Sequence, residues 1–176
     1  MSETDNLRLA FFDIELFENG AAIRGAMLIT DIETKPYEFR ITGPVRPSPI
    51  QRVLYGDTLD DYVHIDLIGV PLIRAAKEKL SLILVANPSL LRIRPKLSSP
   101  MVLIRRDSKS SNNSPTDADD SNLRTVTITA HRDFPTEAPA AQAMLASIMQ
   151  KRDLLEPFER LRAALAACRR ERFASG

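Results

Sequence analysis

An apolar strand that ends in two carboxylates, followed by a tight-turn signal, constrains the fold of this 176-residue chain more than any other feature. Residues 9–15 read Leu-Ala-Phe-Phe-Asp-Ile-Glu, so the strand is apolar until Asp13 and Glu15. Asn19-Gly20 follows, and this dipeptide readily takes the positive φ angles that hairpin turns require. Residues 21–30 and 37–42 have strand-like patterns of their own. The sequence therefore predicts an antiparallel meander of three strands.

Helical and strand-like segments alternate after this meander. Residues 43–49 contain three prolines, which lack the N–H group of a sheet ladder, and Ser48-Pro49 is a typical helix start. Residues 71–79 have helical spacing, whereas residues 80–86 and 100–104 are short apolar runs typical of strands buried on both faces. We therefore predict an α/β fold with a mixed sheet, in which the meander is followed by alternating helix and strand and then by C-terminal helices.

Composition divides the chain into three parts. Residues 1–106 form the predicted α/β core. Residues 107–122 contain one alanine and no larger apolar side chain, so they cannot offset their ordering entropy by burial and are predicted to be a flexible linker or loop. Residues 123–176 are predicted to form a strand and helices that pack on the core, and Phe158, Leu161, Leu165 and Cys168 recur there at helical spacing.

Composition and missing motifs exclude several classes of function. The formal net charge is +1, so no overall field favours nucleic acid or membrane, and a lone Cys168 excludes an internal disulfide framework. The N-terminus is acidic and polar, and no apolar run reaches membrane-spanning length. The sequence also lacks a Gly-rich phosphate loop and a Gly-x-Ser-x-Gly nucleophile turn. We expect a cytoplasmic protein with no membrane partner.

Asp13 and Glu15 are candidate metal ligands. They share one face of the strand and stand roughly 7 Å apart along it, close enough to reach one divalent cation or a pair of them. Asp133 follows a predicted strand at residues 124–130 and is a candidate further ligand, although an acid there is also typical of a helix start. His131 and His64 are interpreted as a loop histidine and a partly buried one. The alternative for Asp13 and Glu15 is that the strand simply runs out into solvent.

The order of elements from Leu9 to Ile104 resembles the ribonuclease H-like fold, and within that group it is similar to endonuclease V. Members of that family carry an aspartate on the first strand, a tyrosine-containing stretch that leads to a glutamate and a Gly-Pro-Leu helix start, and an aspartate that closes the fourth strand. The matching positions are Asp13, residues 62–72 (Tyr-Val-His-Ile-Asp-Leu-Ile-Gly-Val-Pro-Leu) and residues 82–87 (Leu-Ile-Leu-Val-Ala-Asn). The resemblance covers roughly half of the chain.

Two departures separate this sequence from that pattern. No glutamate precedes Gly69, where the nearest acid is Asp66, and Asn87 stands where the family has aspartate. Asparagine carries no charge and is a poorer ligand for Mg²⁺. The resemblance implies a nuclease that hydrolyses nucleic-acid phosphodiesters with Mg²⁺ or Mn²⁺, with Asp13, Glu15 and Asp66 as catalytic residues and metal ligands. The departures leave open a degenerate descendant that no longer cuts.

Basic residues offer a binding site for the phosphates of nucleic acid. Arg46 and Arg52 flank a Pro-rich helix start, where free backbone N–H groups and the helix dipole favour anions, so we predict that they hold phosphate. The C-terminal arginines share a helix with glutamates and are interpreted as a solvated face. The alternative function is a non-catalytic scaffold that binds a protein partner through the amphipathic helix at residues 158–168. Asn87 and the missing glutamate favour that alternative.

Overall fold

Six strands form one mixed sheet. The structure is a computed structural model that describes residues 6–107 and 126–174, with side chains as far as Arg169, so the predicted linker at 107–122 lies outside the described residues except for Asp107. The order across the sheet is β3-β2-β1-β4-β5-β6. The strands are β1 (Leu9–Phe17), β2 (Ala22–Thr30), β3 (Pro36–Ile41), β4 (Leu82–Val85), β5 (Met101–Arg106) and β6 (Val126–Ala130).

The predicted meander is confirmed. β1 pairs antiparallel with β2, and β2 with β3, while Asn19 and Gly20 take φ angles of 55° and 82° in the turn between β1 and β2. β4 pairs parallel with β1, and β5 pairs parallel with β4, as the two apolar runs predicted. β6 closes the sheet antiparallel to β5. The α/β fold class with a mixed sheet is therefore confirmed.

Helical segments connect the meander to the parallel strands. Ser48 caps the first helix, because its hydroxyl accepts the Gln51 N–H at 3.3 Å while the Gln51 side chain accepts the Ser48 N–H at 2.9 Å. The third α-helix ends at Arg74, five residues before the predicted end at residue 79. The helices are α1 (Pro49–Tyr55), α2 (Leu59–Asp61), a π-helix (Tyr62–Gly69), α3 (Val70–Arg74), a 3₁₀ helix (Pro88–Lys96), α4 (Glu137–Met149) and α5 (Glu156–Ala174), with a short 3₁₀ turn at Gly56–Thr58.

Each face of the sheet carries its own helical layer. Phe12 and Ile83 belong to the core beneath the π-helix, α3 and the 3₁₀ helix. Phe11 and Leu84 belong to the opposite core, beneath α4 and α5. Successive residues of β1 therefore point into different layers, as strand alternation requires. The layer in which a residue of β1 lies decides which helix it meets.

The C-terminal helix α5 packs on the sheet of its own chain. Phe158, Leu161 and Leu165 are buried, and the Phe158 ring meets Phe11 edge-on with ring centroids 5.4 Å apart. The chain's own sheet therefore covers the apolar stripe that the scaffold alternative assigned to a protein partner. Among the described helices, none combines the length and the apolar character that crossing a membrane requires.

Candidate functional site

Asp13 and Glu15 point toward α5 and not toward open solvent. β1 continues to Phe17, so both acids lie inside the strand and not at its end as the sequence indicated. They share the face of Phe11, which is covered by α5. Asp13 is only 8% exposed. A carboxylate this deeply buried needs a charged or hydrogen-bonding partner.

An arginine of α5 supplies that partner for Asp13. The Arg162 Nε atom donates to Asp13 Oδ2 at 3.0 Å. The other carboxylate oxygen, Oδ1, accepts the backbone N–H of Ile14 at 2.9 Å. Both oxygens of Asp13 are therefore engaged by the protein itself.

Glu15 lies between two guanidinium groups. Arg24, directly opposite on β2, donates from Nε to Glu15 Oε2 at 2.9 Å, and Arg169 Nη2 lies 3.0 Å from Oε1. Arg24 is 3% exposed, and its Nη2 donates to the Leu165 carbonyl of α5 at 2.5 Å. Arg24 therefore joins β1, β2 and α5 in one buried polar network.

The strand beside Asp13 contributes no carboxylate. Phe12 pairs with Val85 of β4, so continuing the register by one residue puts Ala86 next to Asp13, and Ala86 packs in the same layer. Asn87, the residue that the sequence pattern matched to the family's aspartate, comes one position later. Its Oδ1 accepts from the N–H and the hydroxyl of Ser89 at 3.0 and 2.9 Å and so caps the 3₁₀ helix.

Asp66 lies on the other side of the sheet. It belongs to the π-helix, whose buried residues pack into the layer opposite α5. Its exposed carboxylate receives the Lys96 ammonium at 2.5 Å. Ile68, immediately before Gly69 where the family has its glutamate, is fully buried. The predicted pairing of Asp66 with Asp13 is therefore not present, because the sheet separates them.

Asp133 is remote from Asp13 within the sheet. It follows β6, and three strand spacings separate β6 from β1, which is about 14 Å at 4.8 Å per spacing. Its carboxylate is exposed and lies near Arg132 and His131, at 3.6 and 3.7 Å. The Asp133 N–H donates to His131 Nδ1 at 3.2 Å, which makes a local turn after the strand.

The predicted four-acid metal centre is not assembled in this fold. Within residues 6–107 and 126–169, no three histidine, cysteine or acidic side chains are grouped so that they could hold a metal ion. Asp13 and Glu15 are the two predicted ligands that are neighbours, and both already form ion pairs with arginine side chains. The donor set therefore does not fit Mg²⁺ or Mn²⁺, which require several free oxygen ligands.

The two arginines predicted to hold phosphate differ in their surroundings. Arg46 donates from Nε and Nη2 to both oxygens of Glu18, at 3.0 and 2.7 Å. These hydrogen bonds lower the pKa of the Glu18 carboxyl and raise the pKa of Arg46. Glu18 lies in the turn between β1 and β2, so Arg46 is at the same end of the sheet as Glu15. Arg52 is exposed, and its side chain makes no hydrogen bond or ion pair with any described residue.

Sequence reasoning missed the arginines that hold the two acids. The interpretation of the C-terminal arginines as a solvated face did not include the ion pairs that Arg162 and Arg169, whose side chains are 58% and 40% exposed, make with Asp13 and Glu15. The sequence does contain a pattern from which the pairing of Arg24 with Glu15 could be predicted. A turn at Asn19-Gly20 sets a hairpin register in which Arg24 stands opposite Glu15, and Arg24 is a lone charge in an apolar strand.

Comparison with known proteins gives a likeness in structure alone. No family model and no curated protein matches the chain. Endonuclease V from Streptomyces avermitilis superposes with a TM-score of 0.61 at 15% identity, covering 96% of this chain and 84% of that one. A Ciona intestinalis endonuclease V in complex with a 23mer DNA containing an inosine followed by a ribo-adenosine matches more weakly, with a TM-score of 0.37 at 9% identity, covering 60% of this chain and 48% of that one. A protein of unknown function from Archaeoglobus fulgidus matches with a TM-score of 0.39 at 13% identity, covering 58% of this chain and 55% of that one. The chain therefore has a ribonuclease H-like fold that resembles endonuclease V.

Proposed function

We propose that this chain binds nucleic acid with an endonuclease V-like fold and does not hydrolyse it by a metal-dependent route. This is the degenerate form of the predicted nuclease. One observation carries the proposal: Arg162 donates a hydrogen bond to Oδ2 of Asp13, the carboxylate oxygen that the Ile14 N–H does not contact. Asp13 is the one acid that the sequence shares with the family pattern. The position beside it on the next strand is Ala86, which offers no ligand.

The arginines supply charge without the chemistry of a metal ion. Two divalent ions in a nuclease activate a water molecule and stabilise the attacking and leaving oxygens of the displacement. A guanidinium group binds phosphate through a planar fork of N–H donors, but it cannot lower the pKa of a coordinated water. An acid pair neutralised by arginines therefore supports binding of a phosphate backbone and not its cleavage.

Three partly exposed arginines would form the contact with the phosphate backbone. Arg162 and Arg169 lie along α5 beside Asp13 and Glu15, and Arg46 lies at the nearby hairpin end. Each keeps N–H donors beyond those given to its carboxylate, and arginine forks match phosphate oxygens. The binding expected from such contacts is independent of sequence and weakens with salt.

Fluorescence anisotropy with labelled single- and double-stranded DNA and RNA tests the binding. In the absence of divalent metal, we expect affinity to fall linearly with salt on a log–log plot. Arg162→Ala should reduce that slope by about 0.7–0.9, the value for one phosphate that the protein no longer neutralises. Arg132→Ala is the matched control and should leave the slope unchanged. Arg132 is an exposed arginine that follows β6, the edge strand three positions from β1.

Cleavage and metal binding are measured on the same protein. We expect the oligonucleotides to remain intact with Mg²⁺ or Mn²⁺, and calorimetry to detect no metal binding. Cleavage that disappears in Asp13→Ala would refute the proposal and restore the predicted metal centre. Failure to bind any of the four nucleic acids at low salt would refute nucleic-acid binding.

A further inference from the structure

The outer side of β3 pairs with no strand in the part of the chain that the structure describes, because β3 ends the sheet opposite β6. The Thr42 N–H donates to a β2 carbonyl at 2.9 Å, and the register then makes Glu38 and Arg40 the other residues that hydrogen-bond to β2. The N–H and carbonyl groups of Phe39 and Ile41 therefore point away from β2, and no described residue bonds to them. An edge of this kind can pair with another strand.

The side chains of β3 complement a second copy of β3 in one register. When two copies pair antiparallel about a two-fold axis at Phe39, Glu38 of each copy stands directly opposite Arg40 of the other, on the same face of the joined sheet. Phe39, which is 40% exposed, then lies opposite its own copy and exchanges two main-chain hydrogen bonds with it. An axis at Glu38 or at Arg40 would instead oppose like charges, which is destabilising. The charges therefore select the register at Phe39.

The contact between Glu38 and Arg40 within one chain leaves donors for the second copy. Arg40 donates to Glu38 from Nε, whereas its two Nη atoms bond to no described residue. Glu38 also accepts the Lys77 N–H at 3.3 Å, on the face of the sheet and not at its edge. Directly opposed residues of this kind of pair have Cα atoms about 4.5 Å apart, whereas residues i and i+2 of one strand are about 6.7 Å apart. Two copies therefore bring four alternating charges together.

We propose that β3 is a self-association edge and that its partner is a second copy of this chain, so that the two sheets join into one. Pro36 has no N–H, and the pairing of β3 with β2 skips Tyr37, so regular pairing between copies is limited to residues 38–41. So short an interface buries less than the roughly 1,200 Å² at the lower end of stable interfaces. The dimer is therefore weak and forms at micromolar or higher concentration. This proposal is independent of nucleic-acid binding.

Sedimentation equilibrium of the full chain over a range of concentrations tests the register. The native protein should show a reversible monomer–dimer equilibrium. Glu38→Arg alone and Arg40→Glu alone each place like charges at both contacts, so each should weaken dimerisation by at least tenfold without changing the circular dichroism spectrum. An equal mixture of the two variants places opposite charges at both contacts and should restore the native dissociation constant. The contact within one chain cannot give this rescue, because both variants break it.

Charge reversal at an exposed ion pair elsewhere is the matched control. Arg92 lies 2.6 Å from Asp61, between the 3₁₀ helix and α2, so Arg92→Glu should leave dimerisation unchanged. A native chain that stays monomeric, or a mixture of the β3 variants no more associated than its separate components, would overturn the proposal.

Amide hydrogen exchange tests whether β3 is the paired edge. The Phe39 N–H should exchange more slowly as the protein concentration rises, because the dimer engages it. The Arg40 N–H points to β2 in the monomer, so its exchange rate should not depend on concentration. Dimerisation that leaves the exchange rate of the Phe39 N–H unchanged would overturn the assignment of the interface to β3.

Discussion

Removing Arg24 should destabilise the fold more than removing any exposed arginine, because Arg24 joins three elements in the interior. In Arg24→Met the aliphatic stem is kept while the guanidinium group is lost. Glu15 then loses its buried ion pair, and the Leu165 carbonyl loses its donor at 2.5 Å. Breaking a buried pair by removing one partner costs about 3–5 kcal/mol. Some of this cost is recovered because Arg169 still holds Glu15, so we expect about 3 kcal/mol.

Urea unfolding followed by circular dichroism measures this cost. With a urea m-value of about 2 kcal/mol/M, a loss of about 3 kcal/mol lowers the unfolding midpoint by roughly 1.5 M. Arg169→Met is the matched control, since it removes the other guanidinium from Glu15 at a more exposed position and should cost less than about 1 kcal/mol. Equal unfolding midpoints for the two variants would contradict this prediction, because burial of Arg24 would then contribute nothing to stability.

Three further changes probe other parts of the fold. Burial lowers the pKa of His64 below its usual 6.5, so the unfolded chain binds more protons below that pH and stability should fall as the pH falls; His64→Gln should flatten this dependence in urea titrations above and below pH 6.5. Gly25→Ala would place a Cβ 2.3 Å from the Ile68 methyl group and should lower the free energy of unfolding by about 1–3 kcal/mol in the same titrations. Glu137→Ala leaves the buried Arg94 guanidinium without its carboxylate and should cost about 3–5 kcal/mol, seen as a lower thermal midpoint, while Glu156→Ala at the exposed Arg160 pair should not change it measurably.

Local patterns are sufficient to predict the sheet. The Asn19-Gly20 turn and the apolar runs indicate the meander and the two parallel strands, because strand alternation and turn chemistry act over a few residues. The region from residue 60 to 68 is ambiguous in sequence, and most of it forms a π-helix. Close packing leaves no room for a side chain at its end, since a Cβ at Gly69 would lie 2.5 Å from Ile93 Cδ1 and 2.8 Å from the His64 carbonyl oxygen. Contacts between segments distant in sequence are not visible in a local pattern.

The candidate site is harder to predict because its partners are distant in sequence. The sequence correctly places Asp13 and Glu15 on one face of a strand, but strand periodicity does not show what covers that face. Arg162 is 149 residues from Asp13. An arginine on a solvated helix and an arginine on a docked helix look alike in sequence. The strand register, by contrast, identifies Ala86 as the neighbour of Asp13, whereas a sequence match alone assigns that place to Asn87.

The arginine network gives Asp13 a role that does not require catalysis. A buried carboxylate is costly unless a positive charge or several hydrogen bonds compensate it. In a nuclease the compensating charge is a metal ion, whereas in this chain it is Arg162, carried by a helix whose apolar face packs on the same side of the sheet. The ion pair and the packing of α5 therefore reinforce each other. An aspartate on the central strand of a ribonuclease H-like sheet can thus anchor a helix, and its presence alone does not indicate hydrolysis.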